Sequence, residues 1–209
     1  MPRVSRKQAE LNREIVVEAA TRLFRERGLH GISVVDLMGA AGLTHGGLYG
    51  PFESREALAQ EAFGRAFKES GQHWLERMNA HQDKNAARRA VIEPYLSAAS
   101  RDNPGESCPV AAFVGDMCHE ATDSGLRQIF VKGIDSLLDT FAPLMDSGDP
   151  KRDRQQALVQ YALMLGALTL ALLQAVTGQA KAPVLTLADK MVIRAAKRFG
   201  FIDRITPAG

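Results

Sequence analysis

Residues 33–52, S-V-V-D-L-M-G-A-A-G-L-T-H-G-G-L-Y-G-P-F, constrain this chain more than any other stretch, because they place two short helices on either side of a tight corner. Ser33 offers a side-chain oxygen to an orphan amide at a helix start, and Val34, Leu37, Met38 and Ala41 follow on one face at helical spacing. Gly42 can take the left-handed backbone that ends a helix, Leu43 plugs the corner, and Thr44 can cap a second short helix running to Gly50. Pro51 removes an amide and disfavours helical geometry at the residue before it, so the second helix is expected to stop there. Two short helices joined by a tight glycine-containing turn form the unit that lays its second helix in a DNA major groove.

The same residues resemble the DNA-binding motif of the tetracycline-repressor (TetR) family. The shared features are Ser33, the apolar pair Leu37 and Met38, then Ala41, Gly42, Leu43 and Thr44, then His45, Gly46, Gly47, Leu48 and Tyr49, then Phe52, and finally Ser54, Arg55 and Glu56. Three positions depart from the usual form: Met38 stands where a small Ala is common, Pro51 replaces a polar residue, and Arg55 replaces Lys. The resemblance implies a homodimer that binds a palindromic duplex operator and is released by a small-molecule effector held in a C-terminal helical domain. It also implies an interface built from Ser33, Thr44, His45, Gly46, Gly47, Tyr49 and Arg55. Tyr49, Arg55 and Thr44 would supply phosphate contacts, which carry most of the affinity. His45 and Thr44 would read bases, with Gly46 and Gly47 permitting close approach to the groove. Packing within the small head is the competing role for Tyr49, and simple helix weakening the competing role for the glycines.

Composition alone announces none of this, since 209 residues with net charge +2 and a pI near 8.6 are only mildly basic. The charge matters locally: residues 1–9 hold Arg3, Arg6 and Lys7 without an acid, which suits either an arm reaching for DNA or a solvated terminus. No apolar segment follows the basic start, so a secretory leader is not expected. Residues 158–176 are the one stretch apolar enough to raise a membrane span, but Gln160, Thr169 and Gln174 within it favour a buried helix. Cys108 and Cys118 give no disulfide framework, and a reducing, cytoplasmic setting is expected.

Hydrophobic spacing is helical from end to end, giving an all-α expectation, which the resemblance divides into a three-helix helix-turn-helix head over residues 1–53 and a helical effector-binding and dimerisation domain over 54–209. A first helix is expected over residues 8–27, with Leu11, Ile15, Ala19, Leu23 and Phe24 on its apolar face and Arg25 and Arg27 complementing the dipole at its end. A long helix starts after Ser54. Residues 84–100 form another, kinked or split at Pro94, and the segment R-D-N-P-G-E-S over 101–107 breaks the chain before Ser107 caps a helix over 108–121. Helices over 124–145, 150–177 and 185–198 complete the reading.

The small residues Ala167, Ala171 and Ala175 recur every fourth position and are the expected seam of the dimer. Cys108, Phe113, Phe130, Met164 and Leu168 are the ligand-binding candidates. For an enzyme, the chain lacks a Ser-His-Asp arrangement with supporting context, a phosphate loop and an HExxH pattern, and no cofactor is expected. The nearest metal-like cluster, Asp116, Cys118, His119 and Glu120, splits its side chains over different helix faces, so no metal site is expected either. An alternative to a bound effector is a thiol-based sensor of oxidants or electrophiles at Cys108, which follows the expected cap Ser107 where a helix start favours thiolate, making it more reactive than Cys118.

Overall fold

The computed structural model describes residues 5–43 and 52–176, and the regular elements among them are all helical. Ser5 caps α1 (Arg6–Arg27) by accepting the Gln8 amide at 3.2 Å. Arg6 and Lys7 are therefore the first turn of a helix, not part of an arm. The buried stripe of α1 begins later than the spacing suggested, running through Val16, Val17, Ala20, Leu23 and Phe24, while Leu11 is exposed. The short α2 (Val34–Ala40) follows a loop, and Ser54 starts α3 (Arg55–Asn79) by accepting the Ala57 amide at 3.0 Å.

Asp83 caps α4 (Lys84–Tyr95), and Pro94 in its last turn ends it. A separate helix, α5 (Ala98–Asp102), then starts from its own cap, Ser97. The Pro94 carbonyl, in the last turn of α4, accepts the Ser97 amide at 3.2 Å and the hydroxyls of Ser97 and Ser100 at 2.7 and 2.8 Å. After a 3-10 turn at Pro104–Glu106 comes α6 (Pro109–His119), whose N-cap is Cys108 and not Ser107. Pro109 therefore takes the first helical position, where its missing amide costs nothing. Ser124 caps α7 (Gly125–Phe141), and a 3-10 turn at Ala142–Leu144, centred on Pro143, stops it short of residue 145. The last described element is α8 (Pro150–Val176). The expected helix over 185–198 lies outside the described residues.

These elements gather into two compact units, one of Met1–Glu69 with Pro104–Gly133 and one of Ser70–Asn103 with Ile134–Gly209. The divisions fall inside α3 and inside α7, so as packing units they differ from a cut at residue 53. The first unit is organised by aromatic rings: Phe63 of α3 stacks on Phe113 of α6 at 3.8 Å between centroids and meets Phe24 of α1 edge-on at 6.4 Å. Phe67 meets Phe130 of α7 edge-on at 5.7 Å, a geometry made possible by the absence of a Cβ at Gly133, which would otherwise clash with the Phe67 ring at its Cγ. Each such ring pair adds about 0.5–1.5 kcal/mol beyond the area it buries. The second unit has its own aromatic core, with Trp74 of α3 in contact with Tyr95, Phe141 and Tyr161 at 6.3, 5.5 and 5.6 Å.

Candidate functional site

The described half of the helix-turn-helix is held by local hydrogen bonds at both ends of α2. At its start, the Ser33 hydroxyl accepts the Asp36 amide at 3.1 Å, while the Asp36 carboxylate accepts the Ser33 amide at 2.9 Å and the Ser33 hydroxyl at 2.6 Å. This is a reciprocal capping box, and its spacing S-x-x-D is visible in the sequence. The bonds from Ser33 hold the Asp36 carboxyl below the usual carboxylate range. At the other end Gly42 adopts φ 66°, Leu43 donates its amide to the Met38 carbonyl at 2.9 Å, and Gly42 donates to Gly39 at 3.1 Å. That pair of bonds around a left-handed glycine is a Schellman motif, which both closes α2 and fixes the direction in which the chain leaves it. Leu37 and Met38, at 0 and 1% exposure, anchor the helix to the core.

Thr44, His45, Gly46, Gly47 and Tyr49 lie outside the described residues. Ser33 is exposed and takes the cap position. Arg55, expected at a phosphate, donates from Nη2 to the Leu29 and Ile32 carbonyls at 2.5 and 2.7 Å, and so ties the start of α3 to the loop that precedes α2. Asp116 of α6, weighed in the sequence as a metal ligand, instead accepts the Leu29 amide of that same loop at 2.8 Å. Arg25 is not a solvent-facing dipole charge: its side chain is 7% exposed, pairs with Glu69 at 2.9 Å and donates to the Thr21 carbonyl at 3.1 Å. Burial pushes its pKa down and the Glu69 carboxylate opposes the shift. Two further pairs, Arg13 with Glu61 and Arg65 with Glu14, link α1 to α3, Arg65 also pairs with Glu69 within α3, and Arg13 lies 4.8 Å over the ring of Phe52, just after the undescribed segment. Nothing in the sequence signals Arg13 for this role.

Of the ligand candidates, Cys108, Phe113 and Phe130 belong to the first unit and Met164 and Leu168 to the second, and all five are buried. The first unit also contains a cavity of about 450 Å³ bounded by Leu29 and His30, by Arg55, Glu56 and Ala59, and by Glu120, Ser124 and Leu126, so none of those candidates lines it. The thiols reverse the expected access: Cys108 is buried at the start of α6 near Arg25, and Cys118 is exposed.

In the small-residue row of α8 the described side chains are buried. Ala167 and Ala171 are 8 and 3% exposed, covered by the chain itself, and Ala175 has no described side-chain environment. The face of α8 left open carries Val159, Leu163, Leu170 and Leu173 at 42, 37, 57 and 60% exposure, with Gly166 in the middle of the row and nothing beside it. Within α8, Pro150–Leu173 is long and apolar enough to cross a membrane by length and composition, with 44% of its most apolar window buried.

With this geometry in view, comparison with known proteins is specific. Residues 16–62, from the middle of α1 through α2 to α3, match the model of the bacterial regulatory proteins of the tetR family. The chain is 25% identical over 145 residues to the HTH-type transcriptional repressor DhaR of Mycobacterium sp. (strain GP1), covering 68% of this chain and 71% of that one. Its fold is similar to a TetR transcriptional regulator from Chloroflexus aurantiacus J-10-FL, with a TM-score of 0.74 and 25% identity over 92% of this chain and 97% of that one. It is also similar to FadR of Bacillus subtilis, whose structure was solved in complex with stearoyl-CoA, with a TM-score of 0.60 and 16% identity over 86 and 95% of the two chains. The capped α2, its left-handed exit at Gly42 and the match across those same residues lead to one conclusion: residues 16–62 carry the DNA-binding domain of the TetR family of transcriptional regulators, within a fold similar to that of its members.

Proposed function

We propose that this regulator is a cytoplasmic repressor that binds a palindromic operator as a homodimer, acts by binding and not by catalysis, and is released by a small-molecule effector. The observation that carries the reading is the exit from α2, because a Schellman turn at Gly42 hands the chain directly to the segment Thr44, His45, Gly46, Gly47 and Tyr49 that would enter the groove. Kinship with a repressor supports the direction of regulation, and the acyl-CoA ligand of FadR supports effector release in this fold. Ser33 and Arg55 serve the interface by fixing the loop and helix that carry it. The exposed row of Val159, Leu163, Gly166, Leu170 and Leu173 supports a dimer seam on α8, since its spacing of four and three residues is that of a helix-packing stripe and Gly166 permits close approach.

The test is fluorescence anisotropy with labelled duplexes from the region around the chain's own gene. Binding should fall steeply with salt, and Tyr49→Ala should weaken it for every sequence by about 1 kcal/mol or more. Salt-insensitive or absent binding would refute the reading. Release through a thiol at Cys108 is the less favoured route, because that thiol is 8% exposed.

A further inference from the structure

Gln160 sits midway along α8 with 1% of its surface exposed, and neither Oε1 nor Nε2 has a hydrogen-bond partner among the described residues. An enclosed amide with both its donor and its acceptor unmet works against folding, and such groups are uncommon enough in native proteins to need a cause. The surroundings suggest one. Tyr161, the next residue, joins Trp74, Tyr95 and Phe141 in the aromatic core of the second unit, with Trp74 at 5.6 Å and Tyr95 at 6.3 Å from its ring. Met164, one turn further on the same side as Gln160, is fully buried and unbranched, a side chain that readily yields space.

We propose that Gln160 is the recognition group for the effector in the second unit, and that the effector is a flat, neutral, largely apolar molecule carrying a carbonyl beside an N–H, as in an aromatic amide or lactam. Such an edge accepts from Nε2 and donates to Oε1 at once. A carboxylate offers acceptors only and sets a negative charge against Oε1, whereas a hydrocarbon leaves both atoms of the amide unmet. This inference rests on the effector-responsive reading above, but it can fail separately, because its test uses the free protein without DNA.

Trp74 is the single tryptophan, so its fluorescence reports on the aromatic core directly. Wild type, Gln160→Met and Gln160→Leu are titrated with benzamide, benzoate and toluene, and each protein is melted without ligand. The expected result is saturable quenching or shift of Trp74 by benzamide in wild type, with benzoate and toluene about tenfold weaker or worse. Both variants should lose the preference for benzamide over toluene and should melt higher than wild type, because an unmet amide has been removed. The proposal is overturned if wild type shows no saturable response to benzamide or binds toluene as well. It is equally overturned if either variant keeps the preference, or if both melt lower than wild type, since the amide would then be a structural strut. Should one variant fail to fold, the other and the wild-type probe comparison decide.

Discussion

Ser33 and Asp36 share three hydrogen bonds at the start of α2, and this small cap carries a testable pH signature. Ser33→Ala should destabilise the protein by about 1 kcal/mol, read from urea unfolding followed by circular dichroism. The folded-state pKa of Asp36 is lowered, so its contribution is fully present above the ordinary carboxylate value of about 4 and is lost as pH falls through the lower folded value. Melting temperatures of wild type and Asp36→Ala should accordingly differ at neutral pH and converge in acid; a gap that widens in acid would contradict the cap. The thiols give a second prediction: iodoacetamide should label exposed Cys118 before buried Cys108, as peptide mass spectrometry would show. The sequence exposes Ser33, Gly42 and Ser54 because caps depend on neighbours three or four residues away. It conceals the roles of Arg55, Arg25 and Asp116, whose partners lie 26, 44 and 87 residues distant. For the same reason the helix-start argument for Cys108 misses its burial.

Helix boundaries were largely legible, since Pro94, Pro109 and Pro150 each mark an end or a beginning, although the stop that Pro143 sets on α7 was not read from the sequence. Which face of a helix is covered was less so. Along α8 the rows through Ala171 and through Leu170 differ by one residue, and each contains a small residue, so periodicity alone does not tell the packed row from the open one. The two rows now predict opposite phenotypes. Leu170→Glu should yield a folded monomer by sedimentation with helicity intact, whereas Ala171→Glu should lower stability by about 2 kcal/mol or more, because it buries a charge inside the chain. An unchanged dimer in Leu170→Glu would place the seam elsewhere. In α7, Gly133→Ala drives a methyl into the Phe67 ring and should cost about 1–3 kcal/mol in chemical denaturation. A neutral outcome there would mean that the ring moves freely.

At the scale of the whole molecule, the all-helical class followed from the 3.6-residue spacing, but the compact units did not, because nothing local tells that Phe63 of α3 stacks on Phe113 of α6. That long-range stack places residues 104–133 with the helix-turn-helix and joins the loop before α2 to α6 through Asp116 and Leu29. As proposed above, the molecule reads DNA sequence through its helix-turn-helix. The most direct measurement is in vitro selection of bound duplexes from a random pool by the full chain, followed by sequencing. The expected result is enrichment of an inverted repeat with two equivalent half-sites, and blurring of one position in each half-site when His45→Ala is used. A pool that shows no preferred sequence after repeated rounds, with wild type folded and dimeric, would contradict it.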